Sequence, residues 1–286
     1  MAEQGLTDTV TTTPEDARER PQSLRRDRVL TARRIVVKVG SSSISGDNVA
    51  QIGPLVDALA SAHARGAEVI LVSSGAIATG IPFLKLDGRP SDLATQQAAA
   101  AVGQNILIYR YQESLRRYDI VAGQLLLTAG DLENPTSHSN AQRALERLLA
   151  LRILPIVNEN DTVATHEIRF GDNDRLAALV AELAKADLLV LLSDVDALYT
   201  KPPQEPGAVK ITLVPFEDDL TGVELGDIGS AGVGTGGAGT KIAAAKHAAT
   251  HGTPVLLAST GQVAAALGGE SVGTWFEAAA VAPHAG

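Results

Sequence analysis

The sequence predicts an α/β fold, a mostly parallel sheet covered by helices on both faces, a three-layer α/β/α sandwich. Short β-branched or leucine-rich runs at 35–37, 68–72, 153–157, 188–192 and 255–258 alternate with stretches whose apolar residues recur every three or four positions. Several of these runs end in small, amide or acidic residues, the usual place for a ligand at the carboxyl ends of strands in an open sheet. No repeat and no interdomain linker interrupts the alternation, and 286 residues with 45% hydrophobic content can build a full core.

Residues 1–30 are polar, threonine-rich and charged, and read as a disordered tail with neither a signal core nor a transit pattern. The first strand, Ile35–Val37, feeds Lys38-Val39-Gly40-Ser41-Ser42-Ser43. Such a Gly/Ser turn is either a phosphate cradle of backbone N–H groups or an ordinary strand-to-loop turn. Val49, Ile52, Val56, Leu59 and His63 then mark a helix that stops at Gly66, with His63 a boundary residue of no catalytic role. The second strand, Glu68–Val72, runs into Ser73-Ser74-Gly75, a second small-residue loop. A nucleophile elbow does not fit it, because the residue two before Ser74 is Val72. Thr95–Tyr118 is a long helical stretch, Ile120–Leu127 a strand and Ser139–Leu151 a helix.

The stretch Asn158–Arg175 concentrates carboxylates and amides: Glu159, Asp161, Glu167, Asp172 and Asp174 with Asn158, Asn160 and Asn173. It follows the apolar run 153–157 and precedes a helical pattern. It is either a ligand-binding segment at a strand end or a solvated Asx-rich loop. Leu188–Leu192 ends in a similar way, in Ser193-Asp194-Val195-Asp196. The run Gly229–Lys241 contains Gly232-x-Gly234-x-x-Gly237, but no apolar strand precedes it, so the dinucleotide fingerprint is not met. Gly239-Thr240-Lys241 also lacks the Gly-Lys-Ser/Thr order of a Walker A loop. What remains is a Gly/Thr loop entering a helix N-terminus beside a lysine, suited to nucleotide phosphates or equally to a surface loop.

Composition removes whole classes of function. Aromatics are 3% of the chain and the formal net charge is −9, so neither base stacking nor a basic field favours nucleic acid. There is no cysteine, which excludes disulfides and thiolate chemistry and is compatible with a reducing cytoplasm. No apolar run approaches the ~18 residues of a membrane span.

Five segments in order carry a family: Val36–Ser42 (VVKVGSS), Val72–Gly80 (VSSGAIATG), Val157–Ala181 with its NEND and GDND tetrads, Leu191–Thr200 (LLSDVDALYT) and Gly234–Ala245 (GTGGAGTKIAAA). The chain resembles the amino-acid kinase superfamily over about residues 33–277 and, within it, the glutamate 5-kinase family, for which the NEND and GDND pair discriminates. The resemblance implies one amino-acid kinase domain over 31–280, with ATP toward its C-terminal half and L-glutamate toward its N-terminal half. It implies that Lys38 and Lys241 face the transferring phosphoryl group and that Asp174 holds the lysines. Ser74, Asp161 and Asn173 would bind glutamate. Lys38, Ser193, Asp194 and the loop Thr235, Gly236, Gly237, Ala238, Gly239, Thr240 and Lys241 would line the nucleotide site. Mg²⁺ is implied with ATP, and no side chain is assigned as its direct ligand.

The resemblance further implies a cytoplasmic enzyme of proline biosynthesis, proline as feedback inhibitor, a dimer or tetramer, and glutamyl-phosphate reductase as the acceptor of the product. Many members add a small C-terminal PUA-type domain, which this sequence is expected to lack. Ala197 and Ala238 stand where the family usually has glycine and often has methionine, beside the nucleotide site. Two other readings remain on the same fold: a kinase for a different small carboxylate, and a catalytically silent amino-acid-binding regulator.

Overall fold

The computed structural model describes residues 22–279 apart from Asp87, 165–172 and 225–236. Its centre is a sheet of eight strands. In chain order the strands are β1 (Arg34–Val39), β2 (Glu68–Ser73), β3 (Ala122–Leu127), β4 (Leu154–Glu159), β5 (Leu188–Ser193), β6 (Leu198–Tyr199), β7 (Lys210–Ile211), β8 (Leu213–Val214), β9 (Val255–Ser259) and β10 (Thr274–Phe276). The spatial order is β3-β4-β2-β1-β5-β9-β10-β8, with β6 and β7 paired separately as a small antiparallel ribbon. The six strands from β3 to β9 all run parallel; β10 is antiparallel to β9 and parallel to β8.

The helices are α1 (Gln22–Thr31), α2 (Ile52–Ala64), α3 (Ala76–Gly80), α4 (Leu93–Leu115), α5 (Ala129–Glu133), α6 (Pro135–Ala150), α7 (Asn173–Leu183), α8 (Ala238–Thr250) and α9 (Val263–Leu267). They divide between the two faces as the alternation of strand side chains requires. Ile35, Val37, Val39, Val69, Leu71, Val190 and Leu192 pack with α2, α4 and α9 in one core. Val36, Ile70, Val72, Leu189, Leu191 and Leu257 pack with α6, α7 and α8 in the other. A sheet buried on both faces explains the nearly continuous apolar runs of β1, β2 and β5.

Two differences from the sequence reading concern length and position. Gln22–Thr31 overlaps the end of the expected tail but is helical, and Val29 is only 3% exposed in the first core. Composition over 30 residues averages away this one anchoring side chain. The central strand reaches Glu159, so Asn158 and Glu159 belong to β4 rather than to the loop after it.

Helix α3 lies unusually close to α4. A Cβ at Gly103 would meet the Ala76 carbonyl oxygen at 1.8 Å, and one at Gly80 would meet that of Ala99 at 1.9 Å. Only glycine permits this approach, which seats the Ser74-Gly75 turn leading into α3. Gly103→Ala is expected to cost about 1–3 kcal/mol in urea-denaturation stability through overpacking. An unchanged midpoint would contradict the close packing.

Candidate active site

The chain leaves β1 toward β2, β4 and β3 on one side and toward β5 and β9 on the other. A strand order that diverges in this way opens a crevice at the carboxyl ends of the central strands. Polar segments gather at that edge: Gly40–Ser43 after β1, Ser73-Ser74 at the end of β2, Asn158-Glu159 ending β4, Ser193-Asp194 at β5 and Ser259-Thr260 at β9.

Lys38 has the same parity as Val36, so its side chain leaves β1 on the face covered by α7 and α8. There its ammonium meets Asp174 Oδ1, in the first turn of α7. Lys241, in the first turn of α8, reaches Asp174 Oδ2 at 3.1 Å. Asp174 is 0% exposed, Lys38 3% and Lys241 8%. Burial by itself pushes the Asp174 carboxyl up, but the charges of Lys38 and Lys241 and their hydrogen bonds outweigh it and hold the group below the usual carboxylate range. Two ammonium groups thus share one carboxylate in a buried setting. The N-termini of α7 and α8 add their partial positive charge at the same place. Two buried lysines and two helix N-termini therefore meet at the same edge of the sheet.

A chain of amides fixes the other wall. Asn173 Nδ2 donates to the Ser73 carbonyl at 3.0 Å and to Asn158 Oδ1 at 2.8 Å. Asn158 Oδ1 also accepts from the Glu159 backbone N–H, and its Nδ2 donates to Gln104 Oε1 at 2.6 Å. Both N–H groups of Asn173 are used in these two bonds, so a further bond from this amide must be made at Oδ1. Ser73 Oγ pairs with the Tyr111 hydroxyl at 2.9 Å, and burial pushes that phenol well above its ordinary value. The network locks the start of α7, and with it Asp174, against β2, β4 and α4.

The structure brings Lys38, Asp174, Lys241 and Asn173 together at one end of the helix layer. Ser74 is half-buried in the turn after β2, where its N–H donates to the Val39 carbonyl at 3.1 Å. Asp161 is half-buried, two residues beyond β4. Ser193 and Asp194 share a hydrogen bond of 3.0 Å at the end of β5, Ser193 buried and Asp194 exposed. Gly237 caps α8, and Ala238, Gly239, Thr240 and Lys241 form its first turn, with Thr240 Oγ1 donating to the Gly237 carbonyl at 2.9 Å. Thr235 and Gly236 lie outside the described residues. Ala197, one of the two small departures, is 2% exposed, whereas Ala238 is exposed.

Gln104, Asn158 and Tyr111 escape the sequence reading as site residues. Asn158 carries a signal, as the first amide after an apolar run; Gln104 and Tyr111 carry none, because they sit mid-helix without a motif. Both Asp174 oxygens face lysines. The one group of three His, Asp or Glu side chains spaced to hold a cation among the described residues is elsewhere, at Glu182, His247 and His251. With both oxygens held by lysines, Asp174 is not itself part of a Mg²⁺ cage of carboxylates.

The family model described as the amino acid kinase family matches residues 33–259. The chain belongs to the amino acid kinase family. Curated relatives place it in the glutamate 5-kinase branch of that family. The glutamate 5-kinase of Leifsonia xyli is 74% identical over 251 residues, covering 88% of this chain and 93% of that protein. That of Clavibacter michiganensis is 75% identical over 248 residues, covering 87% and 95%. That of Streptomyces coelicolor is 55% identical over 257 residues, covering 88% of this chain and 69% of the longer relative. Among solved structures, carbamate kinase from Giardia lamblia bound to AMP-PNP superposes with a TM-score of 0.62 at 16% identity, over 87% of this chain and 100% of that one, and so shares the fold. The Lys38–Asp174–Lys241 cluster lies within the span that the family model matches, at the carboxyl ends of the strands.

Proposed function

We propose that this protein transfers the γ-phosphoryl group of ATP to the side-chain carboxylate of L-glutamate, giving L-glutamyl 5-phosphate, the first step of proline biosynthesis. Identity of 74–75% to two glutamate 5-kinases supports the substrate, and the buried pair of lysines joined by Asp174 is the observation that carries the chemistry. A side-chain carboxylate, with a reference pKa of about 4.3, is already ionised at neutral pH and needs no general base. Its oxygen attacks the γ-phosphorus as the bond to the β–γ bridging oxygen breaks and ADP leaves. The obstacle is repulsion between two anions, so positioning and charge neutralisation are what the protein must supply.

In this reading Lys38 and Lys241 neutralise the transferring group and Asp174 holds both ammonium groups in place. Ser193, Asp194 and the loop 235–241 with the α8 N-terminus take the nucleotide, and bound Mg²⁺ supplies further neutralisation of its phosphates. Ser74, Asp161 and Asn173 bind glutamate, with Asp161 pairing the α-ammonium. L-Proline, which shares the α-amino and α-carboxylate groups, is the expected inhibitor at these contacts. A homo-oligomer in the cytoplasm that hands its labile acyl phosphate to a reductase completes the reading.

The test is ATP-dependent acyl-phosphate formation with Mg²⁺, trapped as the hydroxamate. Product with L-glutamate, and none with N-acetylglutamate or L-aspartate, is the expected result. Product with another carboxylate in its place, or glutamate binding with no product, would overturn it. Asp161→Asn is expected to raise the glutamate KM at least about tenfold, the size of one charged hydrogen bond, with a much smaller change in kcat. An unchanged KM would remove Asp161 from the ammonium contact.

A further inference from the structure

We propose that Glu182, His247 and His251 form a binding site for a transition-metal dication of the Zn²⁺, Co²⁺ and Ni²⁺ class, which clasps the C-terminal ends of α7 and α8. His247 and His251 are four residues apart, so their imidazoles share one face of α8, with ring centroids 4.4 Å apart. Glu182 is in the last turn of α7 and faces both rings. Its Oε2 lies 3.0 Å from His247 Nε2 and its Oε1 lies 3.6 Å from His251 Nε2. The three potential ligand atoms are all within 4.8 Å of one another. A tetrahedral ion with bonds of about 2.0–2.1 Å holds its ligands roughly 3.3 Å apart, so small rotations of exposed side chains would close the site.

Orientation is the second observation. His251 Nδ1 lies 2.9 Å from the His247 carbonyl oxygen, to which it donates. That bond directs the proton to Nδ1 and leaves Nε2 as the lone-pair nitrogen when the ring is neutral. A backbone carbonyl orients metal-binding histidines in this way.

The field has the same sign. Glu182 is the penultimate residue of α7 and His251 is the C-cap of α8, so the negative ends of both helix dipoles converge on the cluster. Two imidazoles and one carboxylate select borderline metals over Mg²⁺ or Ca²⁺, which prefer oxygen ligands alone. The side chains are 38–43% exposed, which leaves the entry path and a water position open.

The clasp would act on the pair of helices that carry Asp174 and Lys241. Eight residues of helix, about 12 Å, separate Glu182 from Asp174, so the ion ties the far ends of both helices while their N-termini face the anion site. The assignment does not depend on the reaction proposed above, because its readouts need no substrate.

The experiment uses the full chain, stripped with a chelator and titrated with ZnCl₂ by calorimetry and by thermal unfolding, with MgCl₂ in parallel and Co²⁺ absorption as a report on nitrogen ligation. One Zn²⁺ per chain is expected, with a rise in Tm that MgCl₂ does not reproduce. His251→Ala, His251→Asn and Glu182→Gln, each checked for folding by circular dichroism, should each weaken this binding by about tenfold or more. His63→Ala should leave it unchanged. No saturable Zn²⁺ binding by the folded chain would show that the cluster is only a His–Glu ion pair and overturn the proposal. Equal Zn²⁺ affinity in His247→Ala/His251→Ala would overturn it as well, placing the metal elsewhere.

Discussion

Asp174→Ala is expected to abolish measurable kinase turnover and to lower folding stability by about 3–5 kcal/mol, the cost of breaking a buried ion pair from one side. The carboxylate is fully buried and is shared by two ammonium groups that are themselves 3% and 8% exposed. Its removal leaves two like charges close together, with little water to screen them. Losing a proton or moving apart would relieve this, and either response disrupts the arrangement proposed to bind the phosphoryl group. The triple variant Lys38→Met/Asp174→Leu/Lys241→Met separates structure from function. It removes every buried charge of the cluster, so it should recover most of the lost stability while remaining inactive. Urea-unfolding midpoints and single-turnover assays on the three proteins check this. A stable Asp174→Ala with normal turnover would remove Asp174 from the centre of the site.

The same carboxylate gives a pH dependence of definite sign. In the folded protein its pKa lies below the ordinary aspartate value because the two lysines outweigh the effect of burial. A depressed folded value means that the unfolded chain takes up the proton first as pH falls. The contribution of Asp174 is then complete above the unfolded value, about 3.9, and is lost as pH falls toward the folded value. Between pH 5 and pH 8, at the order of magnitude that linkage allows, Asp174 should add no slope to stability. Below about pH 4 the wild-type midpoint should fall more steeply than that of Asp174→Asn.

The residues legible in the sequence are those whose chemistry is anomalous in their local pattern. Lys38 interrupts an apolar strand, Asp174 opens a helix and Lys241 ends a glycine-rich run, so each stands out from its neighbours in the chain. The fold was legible because β1, β2, β4, β5 and β9 each carry a short apolar run of the kind that a sheet covered on both faces buries. Gln104 did not stand out. A glutamine in the middle of a 23-residue helix has no local oddity, and its bond to Asn158 spans 54 positions that only the folded chain brings together. Strands β6, β7 and β8 have two residues each, too few for any period to show. Glu182, 65 residues before His247, joins the histidine pair only because α7 and α8 lie side by side.

Lys38→Ala and Lys241→Ala are each expected to lower kcat by about 10²–10³-fold, the usual cost of removing one donor aimed at charge that develops in a transition state. In the resting protein Asp174 is shared by the two ammonium groups. Either alanine substitution removes one ammonium group while leaving a Lys–Asp pair intact. The folded state should therefore tolerate each single change better than Asp174→Ala. The loss should appear in kcat more than in the KM for either substrate, because each ammonium group matters most when the γ-phosphoryl group lies between two oxygens. The double variant should be little worse than the poorer single one, since both lysines serve the same transferring group and such effects do not add. Steady-state kinetics on the three variants, with a folding check by circular dichroism, decide the matter. Either single variant retaining wild-type turnover would take that lysine out of phosphoryl transfer. Losses that multiply in the double variant would mean that Lys38 and Lys241 act on different steps.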